Sequence, residues 1–156
     1  ASVKAQSIRG EREIPISSFF TGYVETALEP DEVITEISVP LPESPVKCAY
    51  IKYCPTTSTD WPCLGTAAFV EEADGVCKSV DIIFGSATEV PHRVEGLGAR
   101  AAGRPLDDRL IEDVAAHCYD QVQCMGDARG SAWYKRELVP VFARRALLKA
   151  LGREAA

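Results

Sequence analysis

Every segment with strand character in this chain lies before Gly85, and every segment with helical spacing lies after it. That order excludes alternating strand and helix units, whose crossovers would set helices between parallel strands. Consecutive strands must instead pair as antiparallel hairpins, with helices covering the apolar face of the sheet. The predicted fold class is α+β: an antiparallel sheet of three to four strands packed on three C-terminal helices, with a short β-hairpin at the N-terminus.

Three runs, 46–53, 63–72 and 76–84, supply the sheet. The first two flank Cys54-Pro55-Thr56-Thr57-Ser58-Thr59 and Asp60-Trp61-Pro62, a shaped polar loop of the kind that carries binding chemistry on a rigid sheet. Ala73-Asp74-Gly75 reads as a tight hairpin turn before the third run. Nearer the N-terminus, 3–8 and 12–16 form a hairpin around Arg9-Gly10-Glu11, because glycine supplies the positive φ that such turns need. Ser17-Ser18 caps a brief helical turn, and Phe19, Phe20 and Tyr23 read as an aromatic packing plug. In the strand 33–39, Val33, Thr35, Ile37 and Val39 fall on one face and Ile34, Glu36 and Ser38 on the other. Prolines 40 and 42 cannot extend a ladder, which makes 40–45 a linker.

After Gly85, Pro91 is placed to open a first helix whose weak apolar face is Val94, Leu97, Ala101 and Ala102, ended by Gly103. Asp107 is the expected N-cap of a second helix, with Leu110, Ile111, Val114, Ala115, Cys118 and Val122 at helical spacing. Ser131 caps a third, and Pro140 is expected to kink or restart it near Arg136.

The composition excludes several function classes. The net charge of −6 argues against a nucleic-acid surface. No apolar run approaches the ~20 residues that span a bilayer, and Ala1-Ser2-Val3-Lys4 is not a signal-peptide start, so a soluble cytoplasmic protein is expected. Residues 129–156 hold seven bases against two acids; a solvated helix face and a docking face for an acidic partner both fit this. The cysteines at 48, 54, 63, 77, 118 and 124 lack close pairing, which removes the usual metal spacings and leaves reduced thiols as the reading. Cys63 and Cys77 would be neighbours only if strand pairing brought them together. Phosphate-binding glycine motifs and nucleophile elbows are absent, and His92 and His117 stand alone, as surface or packing residues. Asp31/Glu32 and Asp107/Asp108 sit in turns or caps. On the residues alone, this is a binding or cover domain with no catalytic side chains.

Several segments, in order, resemble the flavin-binding (medium) subunit of the molybdenum hydroxylases, the carbon monoxide dehydrogenase and xanthine dehydrogenase family. They are Gly10-x-Arg12-x-Ile14-Pro15-Ile16 with Phe19-Phe20; Asp31-Glu32-Val33-Ile34 through Ile37-x-Val39-Pro40; Ile51-Lys52 through Asp60-Trp61-Pro62; Pro91-His92-Arg93; and Ser131-Ala132-Trp133-Tyr134-Lys135-Arg136 leading to Arg145-Ala146-Leu147. The resemblance implies that 1–27 is the end of an FAD-binding domain, 31–150 a CO dehydrogenase flavoprotein C-terminal-like domain, and 151–156 a tail. It further implies FAD held mainly by a preceding N-terminal half of the same subunit. A molybdenum cofactor and 2Fe-2S clusters would lie on partner chains, with electrons relayed through FAD to an external acceptor.

Two cofactor-binding positions follow from the resemblance: Ile34, packed at the flavin, and Lys52, beside it. An ammonium there suits the negative charge that gathers at the N1/C2 carbonyl end of a reduced flavin. Without the resemblance Lys52 would read as a solvent-facing strand lysine, Asp60 as a turn residue and Trp61 as a core plug. The alternative function is a non-catalytic interaction or assembly module that keeps the fold without flavin.

Overall fold

A computed structural model describes residues 1–153, which divide into two compact units, the first Ala1–Glu43 and the second beginning at Ser44. The first unit is a three-stranded antiparallel sheet in the order β2-β1-β5, from β1 (Ser2–Ser7), β2 (Gly10–Pro15) and β5 (Val33–Ser38). Between them lie a 3-10 turn, Ile16–Ser18, and a small hairpin of β3 (Phe20–Gly22) and β4 (Glu25–Thr26). Its core is small: Val3, Ala5, Ile14 and Phe19. Of the expected aromatic plug only Phe19 is buried; Phe20 packs edge-on against it at 5.1 Å, and Tyr23 is exposed.

Polar clamps supplement that core. Arg12 makes a paired hydrogen bond to Glu32 at 2.6 and 2.8 Å and also donates to the Ala27 carbonyl. The Arg12 hydrogen bonds and the backbone N–H of Glu29 hold the Glu32 carboxyl down to about 2. Glu32 is therefore a structural anion, although its position in a turn suggested no such partner.

The line between units differs from the sequence expectation of 27/31. β5 is hydrogen-bonded to β1, so it belongs to the first unit, and Pro40 and Pro42 follow it in the connection. The predicted alternation in β5 is also corrected. Ile37 pairs with Val3 and Ile34 with Ala5, with an irregularity between these pairs. Paired residues share a face, so the extra residue, Thr35, resets the period and brings Ile34 and Ile37 to the same side.

In the second unit β6 (Lys47–Tyr53), β7 (Leu64–Ala73), β8 (Val76–Gly85) and the short β9 (His92–Arg93) form one antiparallel sheet in that order. The Asp74-Gly75 turn takes positive φ at both residues, 54° and 77°, as the tight connection demands. Leu64, Ala68 and Val70 from β7 and Val80, Ile82 and Phe84 from β8 face a core completed by the helices α1 (Leu97–Ala101), α2 (Asp108–Gln121) and α3 (Ala132–Ala150).

The first helix is shorter than its spacing predicts. His92 and Arg93 pair with Phe84 and Ile83, and the Arg93 guanidinium grips Asp81 with two hydrogen bonds. Strand pairing with a charge clamp thus outweighs the helix-start preference of Pro91. The second helix begins as expected: the Asp107 side chain accepts from Leu110 N at 2.9 Å. Asp107→Ala should cost about 1 kcal/mol in urea unfolding, the usual value of an N-cap, and Asp107→Asn should restore most of it.

The third helix is continuous through Pro140 and does not restart near Arg136. One lost backbone bond is outweighed by burial of Val139, Phe142, Ala143, Ala146 and Leu147 on both sides of the proline. Residues 151–153 are a helix cap rather than a tail. Gly152, at φ 68°, donates to the Lys149 carbonyl and Arg153 N to the Leu148 carbonyl, which closes the helix end. The rest of the expected tail, 154–156, lies outside the described residues.

Candidate functional site

The register of β6, β7 and β8 decides which side chains reach the face without helices. Ile51, Thr66 and Phe84 are cross-strand partners on the helix side, so the adjacent row, Lys52, Gly65 and Gly85, points to the opposite face. Lys52 therefore stands on the open face beside two positions without side chains. The Tyr50 phenol leans over this floor, with its oxygen 2.7 Å from where a Cβ on Gly65 would lie. A bulkier residue at 65 would displace that ring.

The loop after Lys52 is tightly organised. Cys63 N donates to the Tyr53 carbonyl at 2.8 Å and closes the base. Within the loop Asp60 is the hub: it accepts from Thr56 Oγ1 at 2.8 Å and from Trp61 N at 2.7 Å, and its own N–H donates to the Thr57 carbonyl. The Thr56 and Trp61 hydrogen bonds, with the nearby Arg129 charge, hold the Asp60 carboxyl below the usual carboxylate range. Lys52 Nζ donates to the Ser58 carbonyl at 3.2 Å, so the ammonium is tethered to its own loop. Trp61 is 74% exposed, which removes the core-plug reading.

A second feature was missed at the sequence level. Lys135 is completely buried, and its ammonium donates to Asp127 Oδ2 at 2.7 Å and to the Ser86 carbonyl at 2.5 Å. Burial pushes the Asp127 carboxyl up, but hydrogen bonds from Lys135 and from Arg129 N outweigh it and leave the group below its ordinary value. The only hint in the sequence is a lysine at helical spacing with buried Val139 and Phe142.

The basic C-terminal stretch is largely engaged inside the chain. Arg129 pairs with Asp60, Lys135 with Asp127 and Arg144 with Glu112, while Arg136 lies over Tyr119 and Arg145 over Phe142. These contacts tie five of the bases to groups within the chain. His117 Nε2 shares a hydrogen bond with the Glu95 carbonyl at 2.8 Å, a packing role.

All six cysteines are free thiols. Cys77 pairs with Glu72 near one end of β7 and Cys63 adjoins the other, so strand pairing separates them. Burial pushes the thiols of Cys63, Cys77 and Cys124 up, and that of Cys118 to about 12, so they remain protonated and poor metal ligands. Among the described residues no cluster of three metal-capable side chains occurs, and no helix is long and apolar enough to cross a membrane.

The two predicted cofactor positions lie on different units. Ile34 is on β5 of the first unit, opposite Ala5 and 40% exposed. Lys52 is on the open face of the second.

Comparison with known proteins adds a family frame. Residues 49–150 match the CO dehydrogenase flavoprotein C-terminal domain, and residues 1–42 match the FAD binding domain in molybdopterin dehydrogenase. The chain is 27% identical to the glyceraldehyde dehydrogenase medium chain of Sulfolobus acidocaldarius over 94% of its length and 51% of that protein's. It is 26% identical to the xanthine dehydrogenase FAD-binding subunit of Escherichia coli O157:H7, covering 97% of this chain and 52% of the other. Among solved structures, carbon monoxide dehydrogenase from Hydrogenophaga pseudoflava superposes with a TM-score of 0.86 at 27% identity, covering 99% of this chain and 53% of that one. The chain spans about half the length of the curated relatives it matches.

Proposed function

Because the chain belongs to the CO dehydrogenase flavoprotein C-terminal domain family, we propose that it is part of the flavin subunit of a molybdenum-hydroxylase-type oxidoreductase. In this role it covers FAD and assists electron transfer from iron–sulfur clusters to an external acceptor. The observation that carries the reading is the succession of the two family matches, an FAD-binding segment followed by the flavoprotein C-terminal domain, along one chain. Molybdenum and 2Fe-2S centres would reside on partner subunits. The assembly belongs in the cytoplasm, where free thiols stay reduced.

The second unit fits the ring end of such a cofactor. Lys52 presents an ammonium on the sheet face opposite the helices, in the row of Gly65 and Gly85, with the Tyr50 phenol lying over Gly65. The sequence holds no glycine-rich phosphate loop, so the pyrophosphate is a task for the FAD-binding half of the subunit. When bound, FAD supplies two-electron acceptance, with negative charge gathering at one end of its ring. Lys52 would supply a positive charge to the bound ring, which would favour the reduced form. Ile34 is the other position proposed to contact the flavin.

The test is potentiometric. Lys52→Met in the flavin-loaded subunit keeps a stem of similar length and removes the charge. Loss of ~1.4 kcal/mol of preference for the reduced form corresponds to a two-electron potential about 30 mV lower. An unchanged potential in a normally folded variant would return Lys52 to the role of a surface lysine.

A further inference from the structure

We propose that Arg129 is a positioning residue: it clamps the loop 54–62 in the arrangement that holds the Lys52 ammonium, from a turn anchored by the buried Lys135–Asp127 pair. The link to flavin rests on the role proposed above for Lys52; the clamp itself does not.

The anchor comes first. Asp127 uses one carboxylate oxygen for Lys135 and the other for the backbone N–H of Arg129, at 2.7 and 2.8 Å. Asp127 and Gly130 exchange backbone hydrogen bonds at 3.0 and 3.3 Å, closing the turn. Gly130 lets this turn approach closely, since a Cβ there would lie 3.1 Å from Cys63 Sγ and 3.0 Å from the Tyr134 ring. Cys63 is the residue that closes the base of the 54–62 loop, so turn and loop meet at that point.

Arg129 is the arm reaching from the turn to the loop. Its guanidinium is 3.6 Å from Asp60 Oδ1 and lies 5.9 Å from the centre of the Trp61 ring. Its Nε is buried without a protein partner. The charge is thus committed to Asp60 and the Trp61 face rather than to a full set of hydrogen bonds. Asp60 in turn fixes Thr56 and Trp61, and the loop carbonyl of Ser58 receives the Lys52 ammonium. A second strut, the 2.8 Å hydrogen bond between the hydroxyls of Tyr53 and Tyr134, holds the strand end but not the loop tip. Release of Arg129 should therefore loosen the tip and leave the sheet intact.

Hydrogen exchange on this chain tests the clamp. In Arg129→Gln the amides of Asp60 and Trp61 should exchange about tenfold faster, as in a local opening, while Val80 and Ile82 keep their protection. Arg129→Lys, which retains the charge, should recover much of the loss. Unchanged exchange at Asp60 and Trp61 in Arg129→Gln overturns the clamp.

The link to Lys52 is read in the flavin-loaded subunit. Arg129→Gln should lower the flavin potential in the same direction as Lys52→Met, and the double variant should fall no lower than Lys52→Met alone. If Lys52→Met shifts the potential and Arg129→Gln does not, the positioning of Lys52 by Arg129 is wrong. If Lys52→Met itself has no effect, the flavin reading fails, and the exchange data still decide the clamp.

Discussion

Lys135→Met is expected to destabilise the second unit by about 3 kcal/mol, the low end of the range for removing one partner of a buried ion pair. Lys135 is fully enclosed, whereas the Asp127 side chain keeps 25% of its exposure, so water relieves part of the uncompensated charge. The pair of Arg144, on the same helix as Lys135, with Glu112 of α2 is exposed by 47% and 61%, and breaking it should cost roughly 0–1 kcal/mol. Urea unfolding of the two variants compares them directly. Lys135→Met/Asp127→Asn should recover part of the loss, because the stranded carboxylate is then gone.

The pH dependence has a definite sign. In the wild type the folded-state value of Asp127 lies below its ordinary value. Its contribution is present above the unfolded value and is lost as pH falls through the depressed folded one. Without Lys135, its hydrogen bond and its charge no longer lower the folded-state value, which therefore rises from its wild-type position. Acidification then costs the variant less than the wild type, and the stability gap should narrow toward low pH.

The strands of the second unit were legible because each has its own local signals. Asp74-Gly75 supplies a turn, and the runs on either side have strand propensity and a length that suits β6, β7 and β8. The Asp107 and Ser131 caps were legible for the same reason: capping is a contact across three residues. What escaped depends on contacts distant in sequence. Lys135 reads as one more base in a basic helix until Ser86, 49 residues earlier, and the Asp127 turn enclose it. Arg12 and Glu32 are 20 residues apart and looked like two unrelated turn charges. Pro91 carried a genuine helix-start preference that lost to the free edge of β8.

At the candidate site, chain order was enough to set Lys52 before a shaped loop. It was not enough to say which face Lys52 occupies, because that depends on its pairing with Gly65. Trp61 illustrates the limit from the other side. Its size suggested burial, yet it lies on the surface beside Arg129. Ile34 was placed on the wrong face of its strand because the extra residue Thr35 is silent in a two-residue period.

In the proposed role this chain completes a flavin site whose phosphate contacts lie in the FAD-binding half of the subunit. FAD titration, followed by calorimetry and by flavin fluorescence, tests it on three samples: this chain alone, the FAD-binding half alone, and the two joined. The chain alone should show no tight binding, and joining it to the FAD-binding half should tighten FAD at least about tenfold, or about 1.4 kcal/mol. Stoichiometric, tight FAD binding by this chain alone, or joined halves that hold FAD no better than the FAD-binding half, would contradict the claim.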